Sequence, residues 1–183
     1  MNPIKLILFW CFAGFLVSNA MGQRYTQAGK VHTFIQTSTK DDVAIRGNST
    51  DAKIDYSQGG TQMFISLDPH TIITDNIEFN QQLEKSNLGL IEMLAEVDVS
   101  RLQYQSRYNE VIEAQAVVTF NNQESNVLIT LIVTNKKTND NNTYSITGTG
   151  ELNVDDHKLH DIFPNIGDKI AFEFTQFLSA SLR

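Results

Sequence analysis

The densest run of side chains able to do chemistry is Asp155-Asp156-His157-Lys158-Leu159-His160-Asp161, which gathers two histidines and three carboxylates. Residues of these types bind zinc and other divalent ions. His-x-x-His suits a helix, where residues three apart share a face. This run instead follows a strand pattern with nothing helical behind it, so a solvated loop is expected. Glu92 and Glu96 share the polar face of one strand and could divide acid–base work, but surface carboxylates are the commoner arrangement. His32 and His70 stand alone and read as surface or lining residues. There is no Gly-x-Ser-x-Gly elbow and no glycine loop opening a helix to cradle phosphate. Gly148-Thr149-Gly150 lies inside an alternating segment. No catalytic set, cofactor site or metal site is expected, which sets the chain apart from the enzymes.

The elements that would position any site are strands. Apolar residues recur at every second position, between clusters of Asn, Asp, Gly, Ser and Lys. Tyr144, Ile146, Gly148, Gly150, Leu152 and Val154 form one face against Ser145, Thr147, Thr149, Glu151 and Asn153. Ile112, Ala114, Ala116, Val118 and Phe120 repeat the pattern, as do Ile91, Met93, Ala95 and Val97, and Ile170, Phe172 and Phe174. Val31, Thr33 and Ile35 alternate with His32 and Phe34, and Met63, Ile65 and Leu67 with Phe64 and Ser66. Val43 to Tyr56 supplies a further strand, interrupted around Gly47 to Ser49. Val127 to Val133 is apolar on both faces, which predicts a strand covered on both sides.

These segments make about eight strands joined by short polar connections such as Asn121-Asn122-Gln123-Glu124, and short connections favour antiparallel neighbours. Asp75 to Ser86, with Ile77, Phe79, Gln82 and Leu83, lacks the period of two. It reads as a short helix between the third and fourth strands, with Asp75 as its cap. Nothing divides the remainder, so one domain is expected.

Eight antiparallel strands with one apolar face bury it in a sandwich or a closed barrel. A barrel of about eight strands fills itself with side chains or holds one small ligand. Ala95, Ala114, Ala116, Gly148 and Gly150, set among Phe120, Phe172 and Phe174, suit a space that something else occupies. Glycines in strands also mark bends and bulges, so both readings stand.

The chain begins with Lys5, an apolar run from Leu6 to Val17 and small residues ending at Ala20-Met21-Gly22. That is the pattern of a secretory signal peptide. Residues 1–22 are expected to be removed before Gln23, with cleavage after Ala20 as the second choice, leaving residues 23–183 as the domain. The run is short for a membrane span, so no stable anchor is expected after cleavage. Cys11, the only cysteine, follows bulky residues rather than a small one and would leave with the leader. The mature chain would then have no disulfide, thiol nucleophile or thiolate ligand. Lys5 is the only charge in the leader, so the net charge of −7 becomes −8 on cleavage. Nucleic acid is a poor partner for that surface.

The order of features resembles the YceI-like family of exported lipid-binding proteins. The resemblance rests on Val31-His32-Thr33-Phe34, Val43-Ala44-Ile45-Arg46-Gly47-Asn48, Ala52-Lys53-Ile54-Asp55 with a glycine turn, and Met63-Phe64-Ile65-Ser66-Leu67. Phe79-Asn80, opening a polar helical stretch, is its most specific motif. It covers about Tyr25 to Phe177. It implies an all-β, eight-stranded, lipocalin-like antiparallel barrel holding a polyisoprenoid or similar apolar lipid, exported to the periplasm or secreted. The lining it implies is Phe34, Ile65, Phe79, Met93, Ala95, Ala116, Phe120, Ile146, Gly148, Gly150, Phe172 and Phe174. Two departures bear on the ligand more than on the fold. Leu88-Gly89-Leu90-Ile91-Glu92-Met93 stands where the family has a Tyr-Pro-x-Ala-x-Phe stretch, and Asn121-Asn122 where it has His-Gly. In a bacterial protein of this kind, the glycosylation-type sequences Asn48-Ser49-Thr50 and Asn141-Asn142-Thr143 read as polar turns. An envelope protein with a self-filled barrel is the alternative function.

Overall fold

Period-two burial runs through nearly every segment of the chain and builds one antiparallel sheet. The computed structural model describes residues 24–26, 31–57, 61–97, 110–137 and 142–180. The proposed leader lies outside them. The strands are β1 (Arg24–Thr26), β2 (Val31–Ser38), β3 (Ala44–Ser49), β4 (Lys53–Ser57), β5 (Gln62–Leu67), β6 (Ile73–Thr74), β7 (Ile91–Glu96), β8 (Glu110–Phe120), β9 (Gln123–Lys137), β10 (Asn142–Asn153) and β11 (Lys169–Ala180). One helix, α1 (Ile77–Lys85), stands between β6 and β7. The sheet order is β1-β4-β5-β7-β8-β9-β10-β11-β2-β3-β6.

The expected eight strands become eleven among the described residues. The Val43–Tyr56 segment divides into β3 and β4, and the short edge strands β1 and β6 are added. β3 runs through Gly47 to Ser49, and the break falls after Ser49 instead. Among the described residues no ladder joins the β6 edge to the β1 edge, so the barrel is open along that seam. The sheet nonetheless curls far enough for side chains to meet across its interior. The Tyr56 hydroxyl on β4 donates to Gln176 Oε1 on β11 at 2.6 Å.

Inward positions form one continuous core: Ile54 and Tyr56, Met63 and Ile65, Met93 and Ala95, Ala114 through Phe120, Val127 through Val133, Ile146, Leu152 and Phe174. β9 departs from expectation. Val127, Ile129, Leu131 and Val133 are buried, but Leu128 is 54% exposed and Ile132 37%. Its second apolar face is therefore uncovered by any described residue. The β8–β9 hairpin turns on Asn121 and Asn122, both with positive φ (49° and 57°). A two-residue turn of this hand needs that conformation twice, and asparagine tolerates it better than most residues.

α1 starts two residues later than the sequence suggests. Asn76, not Asp75, caps it, accepting a hydrogen bond from the Phe79 N–H at 2.9 Å. Asp75 is engaged elsewhere: its carboxylate accepts from the Arg46 N–H at 2.8 Å, and its own N–H donates to the Arg46 carbonyl. It extends the β3–β6 pairing instead of starting a helix.

Candidate ligand cavity

Helix α1 owes its place to two consecutive side chains. Asn80 Oδ1 accepts from the Thr74 N–H (2.9 Å) and hydroxyl (2.7 Å), and its Nδ2 donates to the Thr74 carbonyl (2.9 Å). These bonds fasten the helix to β6. Phe79 then turns inward and stacks on Phe163, with ring centroids 4.6 Å apart and planes at 21°. Leu83 is buried one turn on. The helix, together with Leu159 and Phe163 from the segment after β10, closes one end of the barrel.

Beneath this lid lies an apolar cavity of about 90 Å³. Its walls are Thr33 and Ile35 (β2), Ile65 and Leu67 (β5), Ile91 and Met93 (β7), Val118 and Phe120 (β8), Leu152 (β10), and Ile170, Phe172 and Phe174 (β11). Pro69, Ile72, Phe79, Leu83, Leu159 and Phe163 make up the roof. Thr33 alone among these brings a polar side chain. Such a surface cannot orient a reacting group. It can exclude water from an apolar chain, at about 0.8 kcal/mol for each methylene buried.

Of the residues expected to line the interior, Ile65, Phe79, Met93, Phe120, Phe172 and Phe174 surround this cavity. Ala95, Ala116 and Ile146 are buried on the inner face but outside the cavity wall. Phe34 faces the other way. It is 50% exposed, and its register partners are Glu173 and Asn48, because strand alternation sends Val31 and Thr33 inward and Phe34 out.

Gly148 and Gly150 leave no vacancy for a ligand. They pair with Phe174 and Phe172 across the β10–β11 ladder, and a Cβ on either glycine would collide with its partner's ring. The space they leave is filled by the protein itself. Ile35, Leu67, Ile91, Leu152 and Ile170 line the cavity and belong to the alternating faces visible in the sequence. The roof residues Leu159 and Phe163 carried no periodic signal.

The Asp155–Asp161 run is not the solvated loop expected. It forms two 3-10 turns, Asp155–His157 and Leu159–Asp161, with His157 wholly buried. His157 Nδ1 donates to the Phe120 carbonyl (3.2 Å), which leaves Nε2 to meet the Ser125 hydroxyl (2.8 Å). His160 engages the Asp155 carboxylate (2.7 Å) and the Ile166 carbonyl (3.1 Å) instead. Asn121 Nδ2 donates to the His157 carbonyl at 3.0 Å. His157 thus moors the roof segment to the β8–β9 hairpin, while His160 braces that segment internally. Among the described residues no three His, Cys, Asp or Glu side chains converge as a metal site would require.

Two other titratable groups serve the lid. His70 Nε2 meets the Ser86 carbonyl at the end of α1 (3.1 Å), and Nδ1 meets the Asp68 carboxylate (2.8 Å). Both acceptors favour the protonated ring, the Ser86 carbonyl first, and raise its pKa above the ordinary 6.5. Asp68 is held below the ordinary 3.8, mainly by the His70 backbone N–H. Deep in the barrel, burial pushes the Tyr56 phenol far above its usual range. Glu92 and Glu96 are both exposed.

No protein-family profile matches the chain, and neither does any curated protein sequence. Solved structures do. A polyisoprenoid-binding domain from Saccharophagus degradans, implicated in plant cell wall breakdown, superposes with a TM-score of 0.64 at 10% identity. The match covers 88% of this chain and 99% of that one. BcnA of Burkholderia cenocepacia matches with a TM-score of 0.52 at 11% identity, over 80% of this chain and 95% of its own. At these identities the likeness is one of architecture, and it shows that the chain has the YceI-like fold that the order of its sequence features implied.

Proposed function

We propose that this protein is a non-catalytic lipid carrier or reservoir, exported to the periplasm or beyond, whose barrel takes a long apolar ligand such as a polyisoprenoid. The observation that carries the reading is the apolar cavity under α1, walled by six strands and roofed by Phe79 and Phe163. The shared architecture with a polyisoprenoid-binding domain supports it. At about 90 Å³, the cavity is smaller than the roughly 150 Å³ that holds one benzene. Loading a long chain therefore requires the roof to move outward. Its sources are two separate stretches of chain that meet through a ring stack, each tied to the sheet by its own bonds, α1 through Asn80 and the segment after β10 through His157.

The test is organic-solvent extraction of protein purified from its native host, followed by mass spectrometry. A stoichiometric lipid is expected; protein that is natively folded and lipid-free would sink the reading. Export is tested by the first residue of the mature protein, expected to be Gln23, or Met21 if cleavage follows Ala20. An uncleaved start refutes it.

One observation favours the alternative, an envelope protein with a self-filled barrel: Phe172 and Phe174 already occupy the gaps at Gly150 and Gly148. The same extraction decides between the two.

A further inference from the structure

The barrel interior holds polar groups whose hydrogen-bonding capacity no described residue uses. Val31 and Thr33 of β2 pair with Gln176 and Phe174 of β11, and all four face inward. Thr33 is 7% exposed and Gln176 not at all. Thr33 lines the cavity; Gln176 stands one inward position beyond Phe174, on the side away from the lid. Tyr56 reaches across from β4 and donates to Gln176 Oε1 at 2.6 Å. Thr33 Oγ1 and Gln176 Nε2 have no partner among the described residues.

The other buried polar side chains are all engaged. Thr37 donates to the Lys169 carbonyl, Ser49 meets Thr71, Thr74 meets Asn80, and His157 meets Phe120 and Ser125. Turning the Gln176 amide over would give Nε2 to the Tyr56 oxygen and leave Oε1 bare, so one end stays open either way. Burying such groups unsatisfied costs stability, and a sequence that keeps two on diagonal inward positions of one strand pair leaves them for something that binds.

Resting on the lipid-binding reading, we infer that Thr33, on the cavity wall, and Gln176 and Tyr56, just beyond that wall, form a polar floor which an entering ligand reaches. The floor takes the uncharged oxygen function, hydroxyl or carbonyl, of an otherwise apolar ligand inserted with that end first. A charged head is excluded from this place. The described lysines and Arg46 whose side chains are placed are all exposed, and an ionised phosphate buried against an amide and a hydroxyl would lack a counter-charge. Tyr56 suits the role because its buried phenol stays protonated and keeps Gln176 oriented.

The test uses phytol and phytane, a C20 isoprenoid alcohol and its parent hydrocarbon, offered in equal excess to the purified protein. Bound amounts are read by mass spectrometry after gel filtration. One hydrogen bond made in apolar surroundings predicts about a tenfold preference for phytol. Thr33→Val, which keeps the side chain's shape, and Gln176→Leu should each bring that preference towards unity. Equal binding of the two probes to the native protein overturns the floor and leaves the lipid reading standing. A phytol preference that survives both substitutions puts the hydroxyl elsewhere and also overturns it. A water found between Thr33 and Gln176 in a crystal structure with phytol bound does the same. Binding of neither probe overturns the lipid reading, and this inference with it.

Discussion

Gly148→Ala tests whether the barrel fills its own glycine gaps. The added methyl would overlap the Phe174 ring, which is buried. Overpacking of this kind costs about 1–3 kcal/mol, even though alanine otherwise gains roughly 0.5–1 kcal/mol over glycine inside a strand. Phe174→Ala alone should cost about 3–5 kcal/mol as a cavity. In the double variant the methyl enters space the ring has left, so adding Gly148→Ala to Phe174→Ala should cost nothing or stabilise slightly. The coupling between the two sites is then roughly 2–4 kcal/mol, at the upper end of values for residues in contact. Urea unfolding of the four proteins measures it. Gly89→Ala is the control, because a Cβ there meets nothing within 4 Å. Additive effects at 148 and 174 would refute the argument and return the glycines to the ligand.

Asn80→Ala removes the bonds that fasten α1 to β6 and should lower stability by about 2 kcal/mol, with hydrogen exchange speeding first at Thr74 and in α1. The raised pKa of His70 makes its contribution pH-dependent: it is fully present below 6.5 and is lost as pH rises through the higher folded value. Amide exchange at the end of α1 should therefore accelerate on raising the pH beyond the intrinsic rate change, and His70→Gln should abolish that excess; an unchanged excess would count against the bond to Ser86. Met93→Trp fills the cavity and should abolish lipid uptake, whereas Phe34→Ala on the outer face should leave it intact; the reverse pattern would mean the ligand binds outside the barrel.

The strand faces were legible because strand geometry is local: period two marks which residues share a face, and it placed Met93, Phe120, Phe172 and Phe174 correctly. Phe34 shows the limit. The resemblance put it in the lining, while its place opposite Val31 and Thr33 already sent it outward. What the inner face meets was not legible, since the fit of Gly148 to Phe174 depends on a register set between strands. His157 was missed for the same reason. Its partners, Phe120 and Ser125, are brought to it by the β8–β9 hairpin, and no spacing within Asp155–Asp161 encodes them. Gln176 continued the inward series of Phe172 and Phe174, and extending that alternation by one step would have found it. The Phe79-Asn80 pair carried the most information per residue, because one member anchors the helix and the other closes the cavity.

In the proposed carrier, the stack of Phe79 on Phe163 also sets how strongly the barrel would hold a ligand. Parting the rings loses about 0.5–1.5 kcal/mol of aromatic contact and re-exposes part of two buried faces, roughly 3 kcal/mol together. A receptive state at that height is occupied by roughly one molecule in a hundred, and apparent affinity is reduced by the same factor, about a hundredfold. Each methylene that enters returns about 0.8 kcal/mol, so a short chain never recovers the deficit and a long one does so several times over. A closed roof thereby acts as a ruler, rejecting small apolar molecules without a single contact that recognises length.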